Sequence, residues 1–510
     1  MPEHLRALVV IVTLALIVFS GAKRLFAGTI ELDVFNRWRN LWLALTLVAF
    51  LSHSFWLYAL FATLILLVVA RRDGNPAALF CASLFAVPAA GIQVPGFGLV
   101  NYLITLSHTR ILVLCLLLPA WFVLRSRGDR PAFGKLWPDR LLLLYSILVV
   151  ALQLRETTLT DTMRQGFYVM IDALLPYYVL SRTLKHVDAF RQVLAAFLLA
   201  AVMLAAFAVF ESVRHWNLYS AVIIALDPKM GYGAYLGREG LLRASASTGH
   251  AIALGYVMAV AVGFYLYWQD DVRDKLIRRI GWLGLLAGLI VPLSRGPWVG
   301  AAVIILMYLA TGRAAFKRLM LLALGGVVVL PFVSILPGGQ RILEFLPFIG
   351  TVEKDNIDYR GRLIDNALIV IERNPVFGSV DYQNTPEMEA MRQGQGIIDI
   401  VNTYIGVALA YGLVGLSLFV GFFFAVLWGI RKAMRSFNDP DEEMARLGRA
   451  LFATLTGILV IIFTVSSITI IPIVYWSVAG LGVAYTQMVR EHHRTGRESE
   501  IALLRFARNE

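Results

Sequence analysis

Residues 403–430 read TYIGVALAYGLVGLSLFVGFFFAVLWGI, an apolar run that directly follows a polar insert at 337–402. An α-helix needs about 20 apolar residues to cross the roughly 30 Å hydrocarbon core of a membrane. The run therefore predicts a membrane helix, and the insert predicts a polar island between membrane helices. The contrast between these two segments indicates a membrane protein with a polar region between its membrane helices.

The rest of the chain consists mostly of similar apolar runs. Of its 510 residues, 58% are hydrophobic and only 16% are charged, which is far from the composition of a soluble domain. Apolar runs of roughly 15 to 25 residues alternate with short charged segments, as expected of membrane helices. The sequence predicts an all-α polytopic membrane protein with about 14 transmembrane helices, within a range of roughly 13 to 15.

The early spans are harder to count than the later ones. The run Leu8–Phe19 lacks a small-residue cleavage site after it, so it predicts a retained membrane helix. Residues 41–70 form either one long tilted helix or two short helices hinged at residues 52–54. The remaining spans are expected near 76–90, 109–124, 141–154, 167–181, 188–210, 251–268, 281–293, 298–312, 319–336, 404–430, 451–466 and 469–488.

The formal net charge of +12 comes mainly from cations in the connectors between apolar runs. The positive-inside rule explains such clusters as cytoplasmic loops, so we expect no nucleic-acid partner. These basic connectors lie at 71–72, 125–140, 182–185, 273–279, 313–318 and 431–435. The alternate connectors are then external and the C-terminus is inside; they lie near 91–108, 155–164, 211–250, 294 and 337–402.

The charge of the insert agrees with this topology. From Pro337 to Thr403 the chain has six Lys/Arg and ten Asp/Glu, a local net charge of −4. Such a segment makes a poor cytoplasmic loop, so we expect it outside. We divide the chain into N-terminal transmembrane helices (1–240), a core (241–430) that includes the external loop 337–402, C-terminal transmembrane helices (431–490) and a cytoplasmic tail (491–510).

The motifs of the commoner soluble enzymes are missing from the sequence. It has no P-loop, no GxSxG elbow, no HExxH and no DxD-like pair suited to a nucleotide-sugar metal. Cys81 and Cys115 both lie in apolar runs without CxxC or Cys/His spacing. We therefore expect no metal and no other cofactor, and a lipid-linked donor is favoured over a nucleotide-linked one.

The insert contains one amphipathic helix, predicted from about Tyr359 to Arg373. Arg362 and Asn366 lie four residues apart on one face, with Tyr359 one turn before them. Arg360 and Arg362 either bind anionic groups, since guanidinium forks suit phosphate oxygens, or are solvated on a surface helix. A separate face of the helix is expected to be apolar and consists of Leu363, Ala367, Val370 and Ile371.

Two further segments carry candidate site residues. The turn Ser294-Arg295-Gly296 separates two apolar helices and places an arginine at the external membrane face. An arginine there is costly unless it is paired, snorkels to the interface or lines a wet cavity. Upstream, Arg243 and His250 flank three hydroxyl residues; His250 is either a general base or a helix-capping residue.

These motifs together resemble the bacterial O-antigen ligase and polymerase family of membrane glycosyltransferases. One is the serine-arginine-glycine turn at 294–296, followed by Trp298 and Gly300. Another is the insert helix with Gly361-Arg362, followed by Asn374-Pro-Val-Phe-Gly378. The third is Asn402-Thr-Tyr404, which leads to Tyr411-Gly-Leu-Val-Gly415. Their order and spacing match across roughly residues 240–430.

The resemblance implies a fold of the multi-span GT-C kind in the bacterial inner membrane, with a donor glycan on an undecaprenyl pyrophosphate carrier. By carry-over, Arg295 and Arg362 contact the pyrophosphate or orient the acceptor, and His250 joins them as a candidate catalytic residue. Flippase and chain-length regulator proteins are expected partners beside membrane lipid. The expected substrate-binding residues are Arg360, Arg243, Ser294, Asn402, Tyr404 and Asn366.

One departure from the family pattern affects the expected activity. Family members often have histidine directly before the asparagine, and Val401 occupies that position here. The acceptor-activating base is then another group, such as Asp399, Glu239 or His250, or positioning by arginines suffices. This favours a polymerase of O-antigen or exopolysaccharide over a ligase that transfers glycan to lipid A-core. An anion or solute transporter, and a flippase or scaffold, remain as alternatives.

Overall fold

The computed structural model describes residues 1–98, 100–128, 131–226, 237–238, 240–335, 354–393 and 396–507. Within these ranges, side chains are described except at 238, 326–335, 354–357 and 496–507. The candidate base Glu239 and the first part of the polar insert, 337–353, lie outside the described residues.

The described chain is mostly helical. Its helices are α1 (Glu3–Leu25), α2 (Leu32–Leu51), α3 (Phe55–Ala70), α4 (Pro76–Ser83), α5 (His108–Arg127), α6 (Trp137–Glu156), α7 (Leu159–Val169), α8 (Leu175–Thr183), α9 (Val187–Arg214), α10 (Ser220–Leu226), α11 (Ala251–Trp268), α12 (Lys275–Ile290), α13 (Arg295–Ala310), α14 (Ala315–Ile335), α15 (Lys354–Arg373), α16 (Pro386–Glu389), α17 (Thr403–Met434), α18 (Glu443–Thr464) and α19 (Ile471–Ala507).

Within the described ranges, seven helices are long and apolar enough to cross a membrane. They are α1, α5, α6, α9, α11, α17 and α18. The shorter helices α3 and α13 are also apolar. The chain is therefore a multi-pass membrane protein, whereas the count of 14 spans and the GT-C type stay predictions.

The ambiguity at residues 41–70 is resolved in favour of two helices. α2 ends at Leu51 and α3 begins at Phe55, and His53 between them has a positive φ of 49°. At the other end of the chain, α19 continues to Ala507, so the segment expected to be a solvated tail is mostly helical. The side chains of residues 490–495 are exposed, as a solvated segment requires.

The chain is not purely α-helical, and the expected span at 76–90 is wrong. Only Pro76–Ser83 is helical there, which is too short to cross a membrane. Pro88 disfavours helical backbone at the residue before it, and the chain then enters an antiparallel hairpin of β1 (Gly91–Pro95) and β2 (Tyr102–Ser107). A second, two-residue ladder pairs β3 (Gly237–Arg238) with β4 (Leu241–Leu242).

α13 packs closely against α18 through small residues. A Cβ on Gly296 would lie 2.4 Å from Thr464 Oγ1, and one on Gly300 would lie 2.1 Å from Ile461 Cγ1. A Cβ on Gly457 of α18 would lie 2.8 Å from the Gly300 carbonyl oxygen. These glycines let two backbones approach as they do in small-residue contacts between membrane helices. The serine-arginine-glycine turn is thereby fixed against the end of α18.

The predicted cytoplasmic connectors contact one another at one end of the molecule. The fully buried Asp139 pairs with Arg182 and accepts a hydrogen bond of 2.7 Å from the Tyr177 hydroxyl. Further ion pairs join Arg191 to Glu443 (2.5 Å) and Arg446 to Asp270 (3.0 Å). Because Arg182 satisfies a buried carboxylate, we assign it to the architecture rather than to a substrate site.

The predicted external connectors likewise contact one another. Arg164 Nε donates to the Leu103 carbonyl at 3.0 Å, which ties the β1–β2 hairpin to α7. Arg155 Nη2 donates to the Gly378 carbonyl at 2.5 Å, which ties the end of α6 to the insert. The alternation predicted from charge therefore matches the way the connectors group in space.

A break in α17 holds the insert. Gly412 has φ 66° and ψ −169°, outside the helical region. The freed amides of Leu413 and Val414 donate to the carbonyls of Pro375 (2.8 Å) and Val376 (3.2 Å). Backbone groups freed by a break in a membrane helix must find such partners.

The same interlock uses a second glycine and a bond in the opposite direction. Ser379 N donates to the Leu409 carbonyl at 2.9 Å. Gly378 has φ 60°, and a Cβ there would lie 2.4 Å from the same Leu409 oxygen. The Asn374–Gly378 and Tyr411–Gly415 motifs, which are far apart in sequence, therefore form one structural unit.

Candidate functional site

The insert helix α15 packs on α17 through the apolar face that the sequence predicts. Leu363, Ala367 and Val370 are buried, and with Leu409 of α17 they form a small apolar cluster separate from the main core. Ile371 packs partly buried against it. The predicted helix is thus confirmed, although it begins earlier, at Lys354.

One flank of α15 faces the end of the insert. Tyr359, Arg362 and Asn366 recur at helical spacing along this flank. The Tyr359 hydroxyl contacts the carbonyls of Asp399 (3.2 Å) and Met391 (3.4 Å). Tyr359, one turn before Arg362, therefore anchors this part of α15 to the segment that contains Asp399.

Asp399 connects three parts of this end of the molecule. Its Oδ1 accepts a hydrogen bond of 2.6 Å from Ser466 Oγ, in the turn between α18 and α19. Its carbonyl contacts Tyr359 of the insert helix, and its carboxylate acts electrostatically on His250 at the start of α11. The half-buried carboxylate therefore lies where these three parts of the candidate site meet.

His250 caps α11, and this bond determines how its ring can act. Its Nδ1 accepts a hydrogen bond of 3.2 Å from Ile252 N. A neutral imidazole has one acceptor and one donor nitrogen, so neutral His250 carries its proton on Nε2. In this state the ring has a hydrogen-bond donor at Nε2 and no free acceptor nitrogen with which to serve as a base.

The surroundings of His250 favour its neutral form. Burial lowers the pKa of the imidazole, and the Arg243 guanidinium lowers it further. The Asp399 carboxylate raises the pKa and partly offsets these effects. The capping interpretation left open by the sequence is thus confirmed, and the coupling brings Arg243, His250 and Asp399 into one group.

Two side chains fix the turn that carries Arg295. Arg243 Nε donates to the Pro292 carbonyl at 3.2 Å, and Trp298 Nε1 donates to the Leu289 carbonyl at 2.7 Å. Between them, Leu293 adopts a positive φ of 50°, a strained conformation that its neighbours must hold. The segment expected to contribute Arg243 and the turn expected to contribute Arg295 are therefore adjacent.

The remaining predicted residues of the turn and of α15 differ in exposure. Ser294 is the N-cap residue of α13 and is buried beside Gly255. Arg295 is the first residue of α13 and is half-buried. Arg360 and Arg362 are exposed.

Asn402 and Tyr404 have structural contacts. Asn402 Oδ1 accepts from Tyr404 N (2.9 Å) and Ile405 N (3.2 Å), which caps the start of α17. The Tyr404 hydroxyl donates to the Leu459 carbonyl of α18 at 3.0 Å. Both side chains position α17, and these contacts account for the asparagine-x-tyrosine pattern without a substrate.

Two carboxylates at this end, Glu211 and Glu156, were not predicted from the sequence as contributors to the site. Glu211, fully buried, accepts from the backbone amides of Ser245 (3.1 Å) and Ala246 (2.8 Å) and so fixes the chain that leads to His250. Glu156 accepts from Ser379 Oγ at 2.8 Å and thereby clamps the insert. Their partners lie 34 and 223 residues away, so no local pattern indicates them.

Fold and contacts together define a multi-pass helical membrane protein with a polar insert locked onto one end. Residues 280–420 match the family model described as O-antigen ligase. This stretch is therefore similar to that family, and the resemblance inferred from the motifs is confirmed over these residues. A comparison with curated proteins gives no match.

Proposed function

We propose that the chain is a membrane glycosyltransferase that polymerises or transfers glycan units carried on undecaprenyl pyrophosphate. The proposal places the reaction at the periplasmic face of the bacterial inner membrane. The grouping of Arg243, His250 and Asp399 beside the Arg295 turn, at the end where the insert is locked, is the observation that carries it. This group adjoins and partly overlaps residues 280–420, which match the family model.

The cationic groups would bind the donor. Arg295 stands at the N-terminus of α13, where the helix dipole also favours an anion. Arg362 would reach the same pyrophosphate from the insert, and the Nε2–H of neutral His250 would donate to one of its oxygens. Developing negative charge on the leaving group is then stabilised by donors fixed in advance, which is an effective form of catalysis.

Asp399 is the base that we assign to the reaction. The acceptor hydroxyl gives its proton to the Asp399 carboxylate while its oxygen bonds to the anomeric carbon of the donor. The bond from that carbon to the pyrophosphate oxygen breaks, and undecaprenyl pyrophosphate leaves with the electron pair. Of the three bases considered from sequence, Glu239 lies outside the described residues and His250 uses Nδ1 as a cap, whereas Asp399 offers a carboxylate within the group.

Polymerase activity is favoured over ligase activity. Val401 stands where ligases of this resemblance have histidine, and its side chain cannot exchange a proton. Asp399 lies two residues before it, and its carbonyl accepts from Val401 N at 3.1 Å. A carboxylate displaced from the usual position is consistent with a different acceptor, namely a second lipid-linked glycan.

The decisive experiment supplies the purified protein with lipid-linked repeat units, without nucleotide sugar or metal. Longer lipid-linked glycans support the polymerase, and transfer only to an added lipid A-core acceptor indicates the ligase instead. Asp399→Asn should slow the reaction about 100-fold or more, because the amide still accepts from Ser466 but is no base. Ser466→Ala, which keeps the carboxylate, is the matched control and should stay within about tenfold. No product from the intact wild-type protein contradicts the proposal.

The arginines are tested in the same assay. Arg295→Ala and Arg362→Ala should each lower the rate of glycan assembly by about 100-fold or more, which abolishes it in practice. Membrane insertion should stay normal. Arg392→Ala is the control, since Arg392 is also in the insert but pairs with Glu389 at 2.6 Å on the surface. Glycans of normal length from both variants would remove these arginines from the site.

An anion transporter is the second candidate, and the break in α17 is the observation that favours it. Interrupted membrane helices often line substrate sites in transporters. Here the freed amides after Gly412 bind backbone carbonyls of the insert, so they are not offered to a solute. Uptake of a labelled anion into vesicles by the wild-type protein, with no glycan product, would favour the transporter.

A further inference from the structure

A groove at the basic end of the molecule, opposite the candidate site, is built from two adjoining cavities. One lies between the C-terminal part of α17 and α19 and has a volume of about 530 Å³. The other extends from it toward the start of α6 and has a volume of about 550 Å³. They share Gly429, Lys432, Thr486 and Arg490, so they form one continuous space.

The groove has a cationic end. Lys432 and Arg490 line both cavities, and Lys135 lines the second. Neither lining, as far as the chain is described, contains an aspartate or glutamate. All three cations belong to segments at the basic end, where the predicted cytoplasmic connectors meet. This part of the groove is complementary to an anion.

The other end of the groove is apolar and opens sideways. Trp137, Phe424 and Trp428 line the second cavity and are 62%, 64% and 61% exposed. They belong to α6 and α17, two of the membrane-spanning candidates, so their exposed faces meet the hydrocarbon or its interface. Lys432 follows Trp428 by four residues and therefore lies one turn along the same face of α17.

We infer that this groove binds an anionic phospholipid, with the phosphate at Lys135, Lys432 and Arg490 and an acyl chain along Phe424 and Trp428. Basic pockets between membrane helices are suited to such headgroups, and each cation near the phosphate adds binding energy. The apolar wall distinguishes a lipid from a free anion, which would use the cations alone. The inference does not depend on the proposed function, because the groove lies at the other end of the molecule.

The test uses the full-length protein in zwitterionic detergent micelles, with bound lipid counted by native mass spectrometry. Phosphatidylglycerol should bind, phosphatidylcholine should bind far more weakly, and millimolar inorganic phosphate should not displace phosphatidylglycerol. The double variant Lys432→Gln with Arg490→Gln should bind phosphatidylglycerol about thirtyfold more weakly, and Lys135→Gln about fivefold more weakly. Raised salt should reduce the difference, since the cations are exposed.

The matched control neutralises two other cations at the same end of α17. Arg431 and Arg435 are exposed but line neither cavity, so Arg431→Gln with Arg435→Gln should leave binding within about twofold. Ala425→Leu fills the groove from its apolar side and should weaken binding without any change of charge. Equal loss in the control pair, displacement by phosphate, or equal binding of phosphatidylcholine would each overturn the inference.

Discussion

At the scale of single residues, His250 combines a helix cap with a place in the candidate site. The cap needs an acceptor atom on the side chain, whereas the proposed role in the site needs the donor at Nε2. Asparagine supplies a good capping oxygen but lacks the imidazole, so substitution can separate the two roles.

The variant His250→Ala should lose both the helix cap and the proposed donor at Nε2. The variant His250→Asn should keep the cap and lose only the donor. We expect the alanine variant to be less stable than the wild type by about 1 kcal/mol, and the asparagine variant to unfold at nearly the wild-type temperature. Glycan formation should fall in both. If only the alanine variant loses activity, His250 serves as a cap and nothing more.

The pKa of His250 gives a dependence of stability on pH with a defined sign. Because the folded-state pKa is lowered, the unfolded chain binds its proton first as the pH falls. The contribution of neutral His250 to stability is therefore complete above the ordinary histidine value of 6.5 and is lost as the pH falls through and below it. Wild type and His250→Asn should therefore unfold at nearly the same temperature above this value, and the wild type should unfold at the lower temperature below it.

The neighbours of His250 provide the controls. Asp399→Asn removes the group that raises the pKa, so the loss on acidification should become larger. Arg243→Gln removes a group that lowers the pKa, so the loss should become smaller. Changes in the opposite direction would show that the electrostatic coupling is assigned wrongly.

At the scale of elements, the interlock between the insert and α17 depends on Gly412. A Cβ there would lie 2.3 Å from the Val376 carbonyl oxygen, and the positive φ disfavours any other residue. Gly412→Ala should therefore destabilise the docked insert by about 1 to 3 kcal/mol. Limited proteolysis should show faster cleavage within 374–402.

Gly361 in α15 is the matched control for this substitution. A Cβ there would meet nothing within 4 Å, and the residue lies inside a helix. Gly361→Ala should be neutral or stabilise the helix by up to about 1 kcal/mol. Equal proteolysis of both variants would mean that the contacts at 412 do not hold the insert in place.

The insert helix α15 and the broken helix α17 show which features the sequence could predict. The periodicity of Leu363, Ala367 and Val370 is local, so α15 and its buried face were predicted correctly. The break at Gly412 lies in a continuous apolar run, and its stability comes from carbonyls of Pro375 and Val376. Such partners arise only when the chain folds, so the sequence suggests an unbroken helix.

The candidate site likewise has features that are local in the sequence and features that depend on contacts between distant segments. The residue types of Arg360 and Arg362 indicated an anionic ligand, and the structure brings two further candidates, Arg243 and His250, together. The tautomer of His250 and the bond from Ser466 to Asp399 depend on contacts between distant segments. The sequence therefore identified candidate groups but could not assign the proton acceptor among them.

At the scale of the whole molecule, the connectors group into two polar ends, which predicts opposite sides of a membrane. Gln383 and Asn438 are exposed at the insert end and the basic end, and the native Cys81 and Cys115 are buried. A membrane-impermeant maleimide should label Gln383→Cys in cells with an intact inner membrane. It should label Asn438→Cys only after permeabilisation, and labelling of both in intact cells contradicts the topology.

The interlock of the insert with α17 also bears on how such proteins can be recombined. Its hydrogen bonds run between main-chain groups of residues 374–379 and 409–414, so most of the side chains there can differ between relatives. A chimera whose crossover falls between these two stretches would combine halves that were never matched to each other. Crossovers outside residues 354–434 would transfer the insert helix, its docking segment and the broken helix together, so their mutual contacts would be kept.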